Sequence, residues 1–163
     1  MEASEHIALL ERTFQNILIT RMSDVPVINS LLNVKAVGFH PWEGYSLGVL
    51  ITPWFMNVIL LPEEQEVFGT SQVGITKKYN LPSGDFNFTL SHEDQIGYFL
   101  TCSLFSPMFE FDSQEAAELT ALESLIAILK TDEEAVQDKA TNETPPTHSR
   151  RNFLRINKFA KEE

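Results

Sequence analysis

The longest apolar region of the chain lies between residues 34 and 61, and turn-forming residues divide it into three segments. Residues 34–40, 45–51 and 55–61 are rich in valine, isoleucine, leucine and aromatic side chains, and residues 41–44 and Pro53 separate them. Short apolar runs of this composition between turn residues are typical of buried β-strands. The apolar faces of three neighbouring strands of this kind must be shielded from water. We therefore expect the strands to form the centre of a sheet against which helices pack.

Further strands are predicted in the second half of the chain. Phe86 and Phe88 alternate with polar residues, which indicates a strand with one buried face. A short turn separates this strand from the apolar segment 97–105, so the two are expected to pair antiparallel. Residues 67–80 remain unassigned, because two glycines weaken a helix there. The sequence therefore predicts a mostly antiparallel sheet of about five strands.

Two amphipathic patterns predict helices at the ends of this sheet. Near the N-terminus, apolar residues recur at spacings of three and four until Asp24-Val25-Pro26 ends the pattern. Asp112-Ser113 is a capping sequence, which predicts that a second helix begins there. The apolar stripe of that helix is expected to consist of Ala116, Leu119, Leu122, Leu125, Ile126 and Leu129. The predicted fold class is α+β, with an N-terminal and a C-terminal helix flanking the sheet.

Charge and periodicity divide the chain into a domain and a tail. We expect residues 1–133 to form a single α+β domain and residues 134–163 to form a flexible basic tail, because apolar periodicity ends near Thr131. Residues 1–134 contain six Lys and Arg against nineteen Asp and Glu, whereas residues 135–163 contain six against four. An acidic domain disfavours nucleic acid as a partner and suits basic segments, including its own tail.

The sequence also predicts a cytoplasmic protein without a cofactor. The N-terminus is acidic and lacks the basic and apolar regions of a secretory signal, and no apolar run approaches the length of about 20 residues that spans a membrane. One cysteine, Cys102, excludes an internal disulfide and a multi-cysteine metal site. No catalytic motif is present. A Cys102-dependent enzyme that uses His40 or His92 remains an alternative, since strand ends can converge.

A short motif near the C-terminus resembles the twin-arginine translocation signature. That signature consists of serine, two arginines, any residue, phenylalanine, leucine and a basic residue. A working export signal lies at an N-terminus and continues into an apolar stretch, so this copy is not expected to direct export. The matching residues are Ser149, Arg150, Arg151, Phe153, Leu154 and Arg155.

Four sequence blocks occur in an order that resembles a known family. They are Val37-Gly38-Phe39 with Pro41-Trp42-Glu43-Gly44, then GVLITPWFMN at 48–57, LPSGDF at 81–86 and CSLFSPM at 102–108. In these blocks the chain is similar to the HybE/HupJ/HoxT family of nickel–iron hydrogenase assembly chaperones. The resemblance implies a cytoplasmic, non-enzymatic chaperone that acts on the hydrogenase small subunit and its twin-arginine signal peptide before export. Some relatives carry an additional rubredoxin-like domain, and with Cys102 as its one cysteine this chain is not expected to hold an iron site of that kind.

The resemblance does not fix the binding residues, so the site is inferred from residue type and position. Apolar side chains would hold the hydrophobic part of the signal, and carboxylates would bind its paired arginines. The basic tail is expected to occupy the same cleft until the client displaces it, or to engage another assembly factor. The alternative function is a scaffold that binds the hydrogenase large subunit or other maturation proteins. The inferred binding residues are Trp42, Glu43, Trp54, Phe55, Asp85, Phe105, Met108 and Glu110.

Overall fold

A computed structural model describes residues 2–69 and 71–131. One antiparallel sheet runs through this part of the chain in the strand order β1-β2-β3-β6-β5-β4. Its strands are β1 (Lys35–Trp42), β2 (Tyr45–Ile51), β3 (Met56–Pro62), β4 (Thr76–Leu81), β5 (Gly84–Glu93) and β6 (Gly97–Phe105). The helices are α1 (Ala3–Ile17), which continues as a π-helical turn over Leu18–Met22, a 3₁₀ turn over Gln65–Phe68, and α2 (Gln114–Leu129).

The predicted α+β fold is confirmed, but the sheet has six strands rather than five. The additional strand is β4, which lies in the segment that the sequence left unassigned and pairs with β5 from Thr76↔Thr89 to Leu81↔Gly84. It is an edge strand, and most of its residues are exposed. An exposed edge does not show the apolar alternation of a half-buried strand, and its Lys77 and Lys78 are typical of protected sheet edges.

The two helices cover opposite faces of the sheet. Helix α1 packs Leu10, Phe14 and Ile17 against one face, where they meet apolar side chains such as Leu50 and Ile59. Helix α2 packs on the other face against a larger apolar cluster. Because successive strand residues point to opposite faces, the near-continuous apolar runs of β2 and β3 supply both cores at once.

The sheet curves around α2. Tyr45 on β2 lies 6.4 Å from Tyr79 on β4, ring centre to ring centre, although three strands separate β2 from β4 in the sheet. Helix α2 also contacts both sides of this curve. A Cβ on Gly38 of β1 would lie 2.5 Å from Leu125, and the carbonyl of Ile128 accepts a hydrogen bond from the Ser83 N–H in the β4–β5 turn. Gly38 (φ +68°) therefore permits the close approach of β1 and α2.

The predicted stripe of α2 is wrong in part, because the helix is apolar on more than one side. Ser113 caps the helix as expected, with its hydroxyl accepting from the Ala116 N–H. Small residues, Ala117 and Ala121, lie on the buried side of the helix together with Leu125, which is the neighbour of Gly38. No helix of residues 2–69 and 71–131 has the length and apolar character that crossing a membrane requires. The large apolar members of the predicted stripe that are exposed, called the α2 outer stripe below, are Leu119 (58%), Leu122 (45%) and Ile126 (54%).

One buried residue, Asn29, joins three connections at the end of the sheet where β2 turns into β3. Asn29, 7% exposed, lies in the connection between α1 and β1. Its side-chain Nδ2 donates to the carbonyls of Met108 and Phe111, both at 2.9 Å, in the β6–α2 connection. Its backbone N–H donates to the Pro53 carbonyl in the β2–β3 turn at 2.8 Å. The side chain and the backbone of this one residue therefore fix the relative positions of these three segments.

Thr52 performs a similar task within the β2–β3 turn. Its fully buried hydroxyl accepts hydrogen bonds from the backbone N–H groups of Trp54 and Phe55. The same hydroxyl lies 3.2 Å from the Phe55 carbonyl and donates to it. A threonine hydroxyl that satisfies local backbone groups stabilises a turn in place of regular secondary structure. Thr52 thereby sets the directions in which Trp54 and Phe55 leave the sheet.

We expect Asn29→Ala to lower the free energy of unfolding by about 2–4 kcal/mol, because two hydrogen bonds to buried carbonyls are lost and only the Met108 carbonyl keeps a second donor, the Phe111 N–H. The matched control is Asn33→Ala, an exposed asparagine in the same connection, which should change stability by no more than about 0.5 kcal/mol. Urea unfolding of the three proteins measures both values. Equal stabilities of the two variants would contradict the role assigned to Asn29.

Burial, together with the charge and hydrogen bond of Tyr79, raises the pKa of Tyr45 from 10.0 to about 12. A raised folded-state pKa favours the neutral phenol in the folded protein, so its contribution is complete below pH 10 and is lost as the pH rises toward 12. We expect the free energy of unfolding to fall over this range in the natural protein and to fall less in Tyr45→Phe. Urea titrations at several alkaline pH values provide the measurement. Parallel curves for the two proteins would refute this assignment.

Candidate functional site

The connectivity of the sheet divides the eight inferred binding residues between its two ends. Consecutive hairpin turns of an antiparallel sheet lie at opposite ends, so the β1–β2 turn is remote from the β2–β3 turn. Trp42 ends β1 beside the first of these turns, and Glu43 lies within it. Trp54 and Phe55 belong to the second, where Phe105 also ends β6 opposite Met56. The eight residues therefore do not form one continuous cleft.

The β1–β2 turn places its two residues in different surroundings. Trp42 is half-buried against the apolar cluster beneath α2. Glu43 is exposed and has a φ of 43°, a left-handed conformation that is uncommon for residues other than glycine. Gly44 follows with φ 86°, and two such residues in succession form the tight turn that matches the twist of a hairpin. Trp42 therefore packs at the end of the hairpin and Glu43 forms its turn, so both residues have a structural role.

Asp85 lies at the same end of the sheet as the β2–β3 turn, but its carboxylate has a partner in its own hairpin. The Asn80 amide donates to Asp85 Oδ1 at 2.9 Å, across the β4–β5 turn. The two residues also face each other in the strand register. This cross-strand bond stabilises the hairpin that receives the C-terminal end of α2.

The remaining residues surround the connections that Asn29 joins, and burial separates them into two groups. Met108 is fully buried and Phe105 is 7% exposed, so both belong to the core. The ring of Phe105 meets Phe111 edge to face at 5.2 Å. Trp54 and Phe55 are half-buried, and both rings pack against Phe14 of α1. These four side chains therefore contribute more to the packing beneath the surface at this end of the sheet than to its exposed area.

The exposed apolar residues at this end were not predicted from the sequence. Two of them, Val27 (38% exposed) and Leu31 (59% exposed), each lie two residues from Asn29. The third, Phe109 (56% exposed), lies between Met108 and Phe111, whose carbonyls accept hydrogen bonds from the Asn29 side chain. Each is an isolated apolar residue in a connection without periodicity. Their common location depends on the Asn29 side chain, which spans about 80 residues of sequence to reach Met108 and Phe111. The only signal in the sequence was the apolar character of the residues after Pro107.

Carboxylates accompany these apolar side chains. We define the three-loop surface as residues 23–34, 52–55 and 106–113, which contain three acidic residues and no lysine or arginine. Glu110 and Asp112 flank Phe111 and are exposed. Partial burial raises the pKa of Glu110, which is consistent with a carboxylate beside apolar atoms. The arrangement suits a ligand that combines positive charge with apolar groups, which Glu110 and Asp112 would bind next to Val27, Leu31 and Phe109.

The residues of the Cys–His alternative lie on separate parts of the sheet. Cys102 on β6 is half-buried against the cluster beneath α2. His92 on β5 faces Tyr98, four residues before Cys102 on β6, which corresponds to about 13 Å along the strand. His40 lies on β1, three strands from β6 in the sheet order. Among the described residues, no group of three His, Cys, Asp or Glu side chains is placed to hold a metal ion.

Comparison with known proteins places this chain among hydrogenase assembly proteins. Residues 5–156 match the family described as "[NiFe]-hydrogenase assembly, chaperone, HybE". The hydrogenase expression/formation protein HupJ of Bradyrhizobium diazoefficiens is 42% identical over 149 residues, which cover 90% of this chain and 85% of HupJ. Protein HoxT of Cupriavidus necator is 42% identical over 132 residues, which cover 74% of each chain.

A solved structure agrees with these sequence matches. The solution structure of HybE from Escherichia coli superimposes with a TM-score of 0.63 and 26% sequence identity, and the match covers 76% of each chain. The family match includes all four blocks on which the predicted resemblance rested, and it extends through the twin-arginine-like segment to residue 156. The chain therefore belongs to the family of [NiFe]-hydrogenase assembly chaperones described as HybE.

Proposed function

We propose that this chain is a non-enzymatic, cytoplasmic chaperone whose three-loop surface binds the twin-arginine signal peptide of a [NiFe]-hydrogenase small subunit before export. Membership of the family supports the general role in hydrogenase assembly. The observation that carries the proposed ligand is that Glu110 and Asp112 share one connection with the exposed Phe109, and that Asn29 joins it to the connection containing Leu31. The chaperone domain is taken to be residues 1–133.

The chemistry of a twin-arginine signal matches this surface. Such a signal presents two adjacent guanidinium groups and then an apolar stretch. Carboxylates bind guanidinium groups through charge-assisted hydrogen bonds, which are stronger than hydrogen bonds between neutral groups. Phe109, together with Val27 and Leu31, offers the apolar contact area. Removing these three side chains from water on binding would supply much of the affinity.

The inferred binding residues take different roles in this proposal. Glu110 contacts the ligand, Trp54 and Phe55 form the half-exposed edge of the surface, and Phe105 and Met108 support it from the core. Trp42 and Glu43 lie at the opposite end of the sheet, and Asp85 is bound within its own hairpin. These last three residues are therefore not part of the proposed peptide site.

We expect Phe109→Ser to weaken binding of a small-subunit signal peptide about tenfold or more, because Phe109 is the largest exposed apolar side chain of the surface. Replacing the two arginines of the peptide with alanine should have an effect of at least this size. The matched control is Val67→Ser, which removes an apolar side chain of similar exposure (62%) beyond the other end of β3. Isothermal titration calorimetry measures all three affinities.

A peptide affinity that is unchanged both by replacing the arginines and by Phe109→Ser would refute this peptide site. Binding of the folded small subunit without binding of the peptide would place the recognised surface elsewhere on the client. Binding of the large subunit alone would favour the scaffold function in place of the proposed one.

A non-enzymatic role predicts that Cys102→Ala leaves binding of the signal peptide within about twofold of the natural protein. The thiol lies in the cluster beneath α2, whereas the three-loop surface is formed by connections at the end of the sheet. Calorimetry of the variant tests this, with circular dichroism as the control for folding. A loss of client maturation in a folded Cys102→Ala variant that still binds the peptide would instead support thiol chemistry.

A further inference from the structure

The outer face of α2 carries a second exposed apolar surface that the proposed client site does not use. Leu119, Leu122 and Ile126 are each about half exposed, and their spacing of three and four residues aligns them on one side of the helix. Single exposed apolar residues are ordinary on protein surfaces, but an aligned set on a helix is typical of a face that packs against another segment. A specific occupant is therefore expected.

The charge of α2 indicates which kind of segment fits. The helix contains Glu115, Glu118 and Glu123 and no lysine or arginine. Each glutamate lies three or four residues from a member of the α2 outer stripe, so carboxylates border the apolar side chains. A complementary segment combines large apolar residues with several positive charges.

Residues 150–159 of the same chain have this composition. In this segment, Phe153, Ile156 and Phe159 recur at every third position. In a helical conformation these three would extend over about 9 Å, close to the roughly 10 Å between Leu119 and Ile126. The cations that lie among them are Arg150, Arg151, Arg155 and Lys158.

The length of the connection also permits this contact. Residues 132–149 join the end of the described chain to the basic segment, and a flexible chain of 18 residues has a root-mean-square span of about 23 Å. Helix α2 is 16 residues long, which corresponds to about 24 Å. A connection whose span matches the distance to its target gives an effective concentration of order millimolar, so weak intrinsic affinity suffices.

We propose that residues 150–159 dock along the α2 outer stripe of their own chain, with Phe153, Ile156 and Phe159 against the leucines and isoleucine and the cations beside the glutamates. This site differs from the client cleft that the sequence alone suggested for the tail. The docked segment covers the apolar face of α2 and holds the twin-arginine-like motif on the domain, while the three-loop surface stays open.

Nuclear magnetic resonance of the full chain tests this proposal. We expect Phe153→Ser/Ile156→Ser/Phe159→Ser to shift the amide signals of residues 115–129, at any protein concentration. Asn152→Ser/Asn157→Ser, a matched change of polar residues in the same segment, should leave them in place. Adding a peptide of residues 149–160 at millimolar concentration to the first variant should restore the natural signals, and raising the salt concentration should weaken the restoration.

Three results would overturn the proposal. Unchanged α2 signals in the apolar-to-serine variant would mean that the tail does not cover the helix. Changes confined to residues 23–34, 52–55 and 106–113 would place the tail on the three-loop surface. Changes at α2 that disappear on dilution would identify a second copy of the chain as the occupant.

Discussion

Asn29 connects three segments that are far apart in sequence, through its side chain and its backbone N–H. The candidate binding surface depends on these hydrogen bonds. The Asn29 side chain reaches the β6–α2 connection, and its backbone reaches the β2–β3 turn. Buried carbonyls require donors, so the Met108 and Phe111 carbonyls tolerate few other arrangements. Exposed side chains on three separate connections thereby become one surface with defined geometry, at an end of the sheet where regular secondary structure supplies no hydrogen bonds.

The two faces of the sheet give the helices different roles. Helix α1 closes one core, with Phe14 supporting the rings of Trp54 and Phe55 beside the three-loop surface. Helix α2 buries both small and large apolar residues in the concave face, and the α2 outer stripe remains exposed on its other side. The fold therefore offers one surface built from connections and another built from a helix. Their compositions suit, respectively, the proposed client signal and the chain's own basic segment.

The sequence predicted the core well because burial on two faces leaves a direct pattern. The runs of β2 and β3 are apolar throughout, and Ser113 has the side chain that a helix cap needs. Strand β4 was not predicted, since an edge strand with exposed lysines has little apolar periodicity. The orientation of α2 was predicted only in part, because apolar residues surround the helix. Leu125 is buried as expected, but Ala117 and Ala121 lie on the buried side in place of the predicted leucines.

The candidate site was harder to predict than the fold, for a physical reason. Residue type selected Trp54, Phe55 and Glu110, which lie at the three-loop surface, but also Met108, which is fully buried, and Trp42, which lies at the other end of the sheet. Val27 and Leu31 carry no local signal, because their position depends on hydrogen bonds to residues about 80 positions away. Long-range polar contacts of this kind leave no periodicity in a sequence.

Site-specific photocrosslinking tests whether the client contacts the surface organised by Asn29. A benzophenone side chain at position 109 of the full chain is irradiated with a hydrogenase small-subunit precursor, and position 67 serves as the equally exposed control. We expect a crosslink from position 109 that maps to the signal peptide and disappears in an Asn29→Ala background. A crosslink from position 67 alone, or one from position 109 that is independent of the signal peptide, would contradict it.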